Sequence, residues 1–254
     1  MSKLPTTHKT KAKKKQLRLA VLERKLLGHT HEVYVAVSPN GKWLASCSKD
    51  KTVKFWDLAT GKCKATKEHT EIINCVAFLP DGRLLFGDHD GCISLLENMN
   101  GPIVKVRHFP EKNIWRLVPL TDGESLVSGG GRGYHVERWH LFTRRDDEWH
   151  RYGLHINALA VVEEQSLVIC GHTLSVTLLS LNSGETVVEL TGHTHPVWSL
   201  AVTPDGALAI SGSGDSTLRV WDLQTHACVG TLEGHQDGVN SSCFSLWSYG
   251  RVWR

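Results

Sequence analysis

Hydrophobic and polar residues alternate in short runs along most of this chain, and turn signals interrupt the runs at nearly regular distances. After Gly28-His29 an apolar residue follows four positions on, at Val33, and the alternation that begins there predicts a strand. Pro39-Asn40-Gly41 then predicts a hairpin turn: Pro presets φ, Asn tolerates the left-handed region and Gly adopts φ > 0 freely. Two more strands are predicted over residues 43–47 and 53–56, joined by Ser48-Lys49-Asp50-Lys51. The same order recurs after Gly192-His193. Val197 and Pro204-Asp205-Gly206 lead to strands over 208–211 and 218–221, joined by Ser213-Gly214-Asp215-Ser216. An outer strand over 228–232 follows before Gly234-His235. Trp56-Asp57 and Trp221-Asp222 close the two segments 165 residues apart, four steps of about 41. His69 and His108 fall near intermediate steps, with Ile73 and the turn Pro80-Asp81-Gly82 in the matching places. Four strands in about 41 residues make one propeller blade.

Composition agrees with many short strands and tight turns: 23 Gly, 8 Pro, and 9 Trp against 2 Met. The formal charge of +3 hides an asymmetry. Residues 1–25 hold nine Lys or Arg and one Glu, and the remainder is mildly acidic. Seven scattered cysteines, an odd count without a Cys-x-x-Cys, read as reduced core thiols and point to an intracellular protein, cytoplasmic or nuclear. No apolar run reaches the ~18 residues that span a membrane, and the N-terminus lacks a secretion signal's apolar stretch, so no membrane association is expected.

The residues from Gly28 to Asp57 and from Gly192 to Asp222 resemble the WD40 repeat, with its Gly-His, turn, Ser-x-x-x-Asp and Trp-Asp. The resemblance covers about residues 26–247 and implies an all-β fold, a β-propeller of four-stranded antiparallel blades. It has five recognisable repeats plus a partial sixth that begins at Gly234-His235, with a strand near residues 239–244. The domain reading is a basic tail over 1–25, a propeller over 26–247 and an irregular end over 248–254. The middle repeats fray. Repeat two keeps His69 and Asp90 but has Phe86 and Leu96 at the Ser and Trp places. Repeat three keeps Ser128 and Trp139, with Gly129–Gly133 in place of the Asp turn. Repeat four retains little beyond Gly171-His172. From Gly28 onward the chain holds about five and a half repeats. Three readings stay open: a six-bladed ring aided by residues 17–27, a piece of a longer seven-bladed chain, or a ring completed by another chain.

Carried onto this sequence, the family's hydrogen-bonded chain links His29, Ser46, Asp50 and Trp56, and again His193, Ser211, Asp215 and Trp221. Each buried polar group then gains a partner. A Ser/His/Asp catalytic triad is the competing reading. A constellation that recurs in each repeat, with its serine held by Trp, argues against an enzyme. His29-x-His31 and His193-x-His195 look like ligand pairs but lack the Cys-x-x-Cys or His-Glu-x-x-His of a zinc site, so neither metal nor cofactor is expected. Gly129–Gly133 joins two strands, and no Gly-Lys-Ser/Thr follows to make it a phosphate cradle.

The expected partner surface lies where the inner strands begin. Tyr34, Asn74 and Trp198 stand five positions after the repeat histidines, and Trp115 aligns with them in repeat three. Lys49 and His89 precede the turn acids, and Arg132 lies in the matching turn of repeat three. Aromatics there are candidate anchors, since Trp and Tyr dominate interface hot spots. Packing between blades is the ordinary alternative. The resemblance implies a non-catalytic scaffold or regulatory subunit for a protein or peptide partner. Alternatives are the sensor part of a larger protein, and an RNA- or chromatin-associated propeller that uses the tail lysines Lys9, Lys11, Lys13, Lys14 and Lys15.

Overall fold

Each Pro-containing turn closes where the sequence places it. Gly41, Gly82 and Gly206 take φ of 66°, 93° and 69°. Their amides bond back to the carbonyls of Ser38, Leu79 and Thr203 at 2.8, 2.9 and 2.9 Å. The preceding Asn40, Asp81 and Asp205 each accept an amide two residues on. The computed structural model describes residues 25–110, 112–130, 135–143, 148–153 and 155–241. The basic tail apart from Lys25, Arg132 and the expected end over 248–254 lie outside these residues.

The described strands form five antiparallel sheets of four, each in chain order. Blade one holds β1 (Val33–Val37), β2 (Trp43–Ser48), β3 (Thr52–Asp57) and β4 (Cys63–Glu68). Blade two holds β5 (Ile73–Phe78), β6 (Leu84–Asp88), β7 (Cys92–Leu96) and β8 (Ile103–His108). Blade three holds β9 (Arg116–Pro119), β10 (Ser125–Gly130), β11 (His135–His140) and β12 (Trp149–Tyr152). Blade four holds β13 (Ala158–Val162), β14 (Leu167–Gly171), β15 (Ser175–Ser180) and β16 (Thr186–Thr191). Blade five holds β17 (Val197–Val202), β18 (Leu208–Ser213), β19 (Leu218–Asp222) and β20 (Ala227–Leu232). The strand expected over 239–244 is not formed at residues 239–241, and 242–244 lie outside the described residues. No helix of the described residues is long and apolar enough to cross a membrane.

The core is a series of layers between blades. Cys47, Val53 and Phe55 of blade one meet Ile73, Leu84 and Phe86 of blade two. Trp139 of blade three and Trp221 of blade five lie in the layers toward blades two and four. Each later layer is keyed by a β-branched residue seated on a glycine of the preceding blade's second strand. The pairs are Ile114 on Gly87, Ile156 on Gly129, Val197 on Gly171 and Val239 on Gly212. A Cβ at Gly87 would lie 2.4 Å from Ile114 and one at Gly171 2.8 Å from Val197. The entering residue also donates its amide to the earlier blade: Ile114 to Asp88, Val197 to His172 and Val239 to Ser213, at 3.1, 2.9 and 2.8 Å.

Consecutive blades pack through their inner strands, β1 on β5 through to β13 on β17. No packing of that extent returns from β17 to β1 among the described residues. Blade one accordingly keeps an uncovered face. Tyr34 and Ala36 turn toward blade two, while Val33, Val35 and Val37 are 45%, 59% and 55% exposed. Trp56 stays buried on that side, with the Gly28 backbone near its ring.

Candidate functional site

The connection entering each blade and the β2–β3-type turn meet at one end of the stack, and in blades one and five they enclose a relay of four side chains. The Trp56 indole donates to Ser46 Oγ at 2.7 Å, Ser46 Oγ meets His29 Nε2 at 2.7 Å, and His29 Nδ1 meets Asp50 Oδ2 at 2.7 Å. One set of protons satisfies all three contacts: indole N–H to Ser46, hydroxyl to Nε2, and Nδ1–H to Asp50. Blade five repeats the relay through Trp221, Ser211, His193 and Asp215 at 2.8, 2.7 and 2.7 Å. Asp50 also accepts the Thr30 amide and the Thr52 amide and hydroxyl. Burial pushes the Asp50 carboxyl up, but hydrogen bonds from Thr52, His29 and Thr30 outweigh it and hold it down to about 2. The same balance, set by Thr217, His193 and Thr194, holds Asp215 well below the carboxylate range. Burial lowers the His193 imidazole despite Asp215 beside it, which favours the neutral ring. Both serines are buried, and each hydroxyl is engaged by an indole as well as an imidazole.

The expected partner residues, Arg132 aside, lie at this same end of their blades, with differing exposure. Tyr34 is half-buried against the layer between blades one and two. Trp115 is half-buried, its ring edge-on to His155 at 5.0 Å. Trp198 is 37% exposed, and its ring packs against the backbones of Gly214 and Gly238. Lys49 pairs with Glu32 at 2.8 Å. His89 is exposed and accepts from the Asn113 carboxamide. Asn74 is buried, and its Nδ2 has no acceptor. These positions are not all equivalent in register. Asn74 and Trp198 sit at bulges that the inner strand makes against the second strand. Tyr34 is an ordinary ladder residue opposite Cys47, because β1 has no bulge.

The family model described as "WD domain, G-beta repeat" matches residues 20–57, 61–95 and 184–222. Mouse (Mus musculus) striatin-4 is 27% identical over 219 residues, covering 85% of this chain and 25% of striatin-4. The nuclear distribution protein PAC1 of Coccidioides posadasii is 27% identical over 227 residues, 82% of this chain and 42% of that protein. The chain carries WD40 repeats. A 58-residue stretch is 50% identical to the ribosome biogenesis protein BOP1 homolog of Drosophila melanogaster, 22% of this chain and 7% of that one. The chain thus spans a quarter to about two fifths of the length of the first two relatives.

Within the WD40 frame, the middle blades improvise. Blade two was expected to use Asp90; the structure corrects this to Asp88, which His69 Nε2 meets at 3.0 Å. Asp88 stands at the ladder place of Ser48, and Phe86 fills the serine place, so no hydroxyl intervenes. Blade three keeps the Trp139–Ser128 bond at 3.0 Å. Beside it Lys112 is bound to the buried Glu137, which His150 also meets at 3.2 Å. In blade four Gly171-His172 leads from the second strand into the turn before the third, where His172 meets Thr177 at 2.7 Å. Gly130 is required by backbone: a Cβ there would lie 1.7 Å from the Asn113 carbonyl. Gly131 to Gly133 lie outside the described residues. Among the described residues no three His, Cys, Asp or Glu converge as a metal set. Blade two also carries a cavity of about 450 Å³ lined by Glu68, His69, Thr70, Ser94, Ile103 and Lys105. Leu96 and the cavity's Ser94 stand at the ladder places of Trp56 and Lys54. The sequence reading passed over Asn113, His155 and Arg116, whose neighbours belong to other blades. It also passed over the glycine series at 87, 129, 171 and 212, a near-regular spacing visible in the sequence.

Proposed function

We propose that this chain is a non-catalytic interaction platform that binds a protein or peptide partner at the end of the channel where the inner strands begin. Trp198 carries the reading: a residue more than a third exposed, with its indole pinned by two glycine backbones, is a rigid anchor already in position. Tyr34, Asn74, Trp115, Lys49 and His89, at the same end of blades one to three, belong to the proposed set, as does Arg132 outside the described residues. The two relays hold the turns that frame this surface. Their serines lie beyond reach of a substrate, which supports a structural role over hydrolysis. Trp198→Ala and Trp115→Ala should each weaken the partner recovered from the native cell by ~30-fold at unchanged melting temperature. Unchanged affinity in both variants contradicts the placement.

The share of each relative that this chain spans supports a second reading, in which the platform serves as the sensor part of a larger protein. The exposed valines of β1 support completion of the stack by a further blade, from this chain or another.

A further inference from the structure

We propose that Arg116 is an anion receptor at the channel mouth and that the partner segment it selects is acidic, its carboxylate docking on the guanidinium. The inference rests on the platform reading and names the chemistry of its partner.

Arg116 begins the inner strand of blade three, opposite Gly129. Its guanidinium lies 5.8 Å from the centroid of the Tyr34 ring, on the inner strand of blade one. β1 and β9 both flank β5, so the charge lies on the inner-strand side of the stack, in front of blade two. The buried thiols of Cys75 and Cys47 feel the same charge, which opposes the rise that burial gives them. Arg116 Nη1 donates to the Trp115 carbonyl at 2.8 Å. No carboxylate of the described residues pairs with it, whereas Arg107 grips Glu148 with both terminal nitrogens. Four acids of blades one to three near this end have other partners, while Asp90 is exposed in the turn that holds His89. Glu32 is held by Lys49, Asp50 by His29, Asp88 by His69, and Glu137 by Lys112 and His150.

Half-buried, and with one of its five donors engaged among the described residues, the guanidinium retains a strong, directional demand for an anion. The Tyr34 ring lies beside it, and a planar fork matches a carboxylate better than a point charge would. Asn74, at the start of the neighbouring inner strand, adds a buried Nδ2 donor without an acceptor. Trp115 and Trp198 supply apolar surface for flanking residues at the same end. A single free guanidinium favours one carboxylate over a phosphate-backbone polyanion, whose binding uses several cations at once.

The carboxylate can belong to an internal Glu or Asp or to a chain terminus, and the test separates these. The full chain is titrated with degenerate nonapeptide pools whose central residue is Glu, Gln or phosphoserine. Neutral pools with a free or amidated C-terminus, and a single-stranded RNA 12-mer, are run alongside. The expected result is about tenfold tighter binding of a carboxylate pool than of its amide counterpart, from hydrogen bonds to a charged partner. Arg116→Gln should abolish that ratio, and Arg116→Lys should reduce it several-fold, both at unchanged melting temperature. The Glu pool and the free C-terminus report the two sources. A ratio near one in the wild type overturns the inference, as does an Arg116-dependent preference for phosphoserine or RNA over every carboxylate pool. If the ratio is near one but binding still falls in Trp198→Ala, the platform stands and the anion receptor falls. If no pool depends on Arg116 or Trp198, both readings fall.

Discussion

Replacing Gly87 with alanine places a methyl carbon 2.4 Å from Ile114 Cγ2, 2.7 Å from its Cβ and 2.9 Å from Cys75 Sγ. Ile114 and Cys75 are buried in the layer between blades two and three and cannot swing clear. Overpacking of this kind costs about 1–3 kcal/mol. Removing glycine from the unfolded chain returns about 0.4–1 kcal/mol, since the Gly87 backbone is one alanine can adopt. The net expectation is a loss of about 1–2 kcal/mol, or roughly 2–8 °C in melting temperature for a chain of this size. Ile114→Ala alone should cost about 2–5 kcal/mol through the lost side chain. In that background the 2.4 Å contact is gone, and the residue-114 Cβ and Cys75 can relax into the vacated space, so Gly87→Ala should cost less there, a coupling of about 1 kcal/mol. Urea unfolding of the four proteins followed by tryptophan fluorescence measures this cycle. Additivity within about 0.5 kcal/mol would show that the glycine series does not set the spacing of the blades.

Asp50→Ala should cost about 2–4 kcal/mol, because it strands the Thr30 and Thr52 amides and the His29 Nδ1–H; an unchanged urea midpoint would remove the relay from the stability account. The Asp50 carboxyl is held below its ordinary value, so its contribution of roughly 2 kcal/mol is present above pH 4 and fades as pH falls toward 2. His193 is lowered too, which adds a loss of the same sign as pH drops below about 6.5; calorimetry at stepped pH should show both, and Asp50→Asn should flatten the lower step. Ser216 holds φ of 65°, as Lys51 does at the matching place, where blade two has Gly91 at 81°. Ser216→Gly should therefore stabilise by a few tenths to about 1 kcal/mol, read as a raised melting temperature, with a fall counting against backbone strain there.

Blades one and five were legible in the sequence because their signals are local. Strand alternation, Pro-Asn-Gly and Pro-Asp-Gly turns, and the residues of both relays all fall within about 30 positions. What stayed hidden depends on register and on neighbouring blades. Choosing Asp88 over Asp90 requires knowing which residue faces Phe86's side of the ladder. Tyr34 and Trp198 share a sequence offset, yet a bulge in β17 and none in β1 gives them different ladder places. The glycine series recurs every 41 or 42 residues, but its meaning lies in Ile114, Ile156, Val197 and Val239, one blade further on. Arg116 is uninformative in sequence because Tyr34, the ring beneath it, comes from two blades away.

Hydroxyl-radical footprinting of the chain with and without its partner tests the binding surface most directly. Protection is expected at Tyr34, Trp115 and Trp198, with none at the turns containing Pro39, Pro80 and Pro204 at the opposite end of the blades. Protection confined to those turns, or to the outer strands β4, β8 and β20, would contradict a platform that binds at the channel mouth.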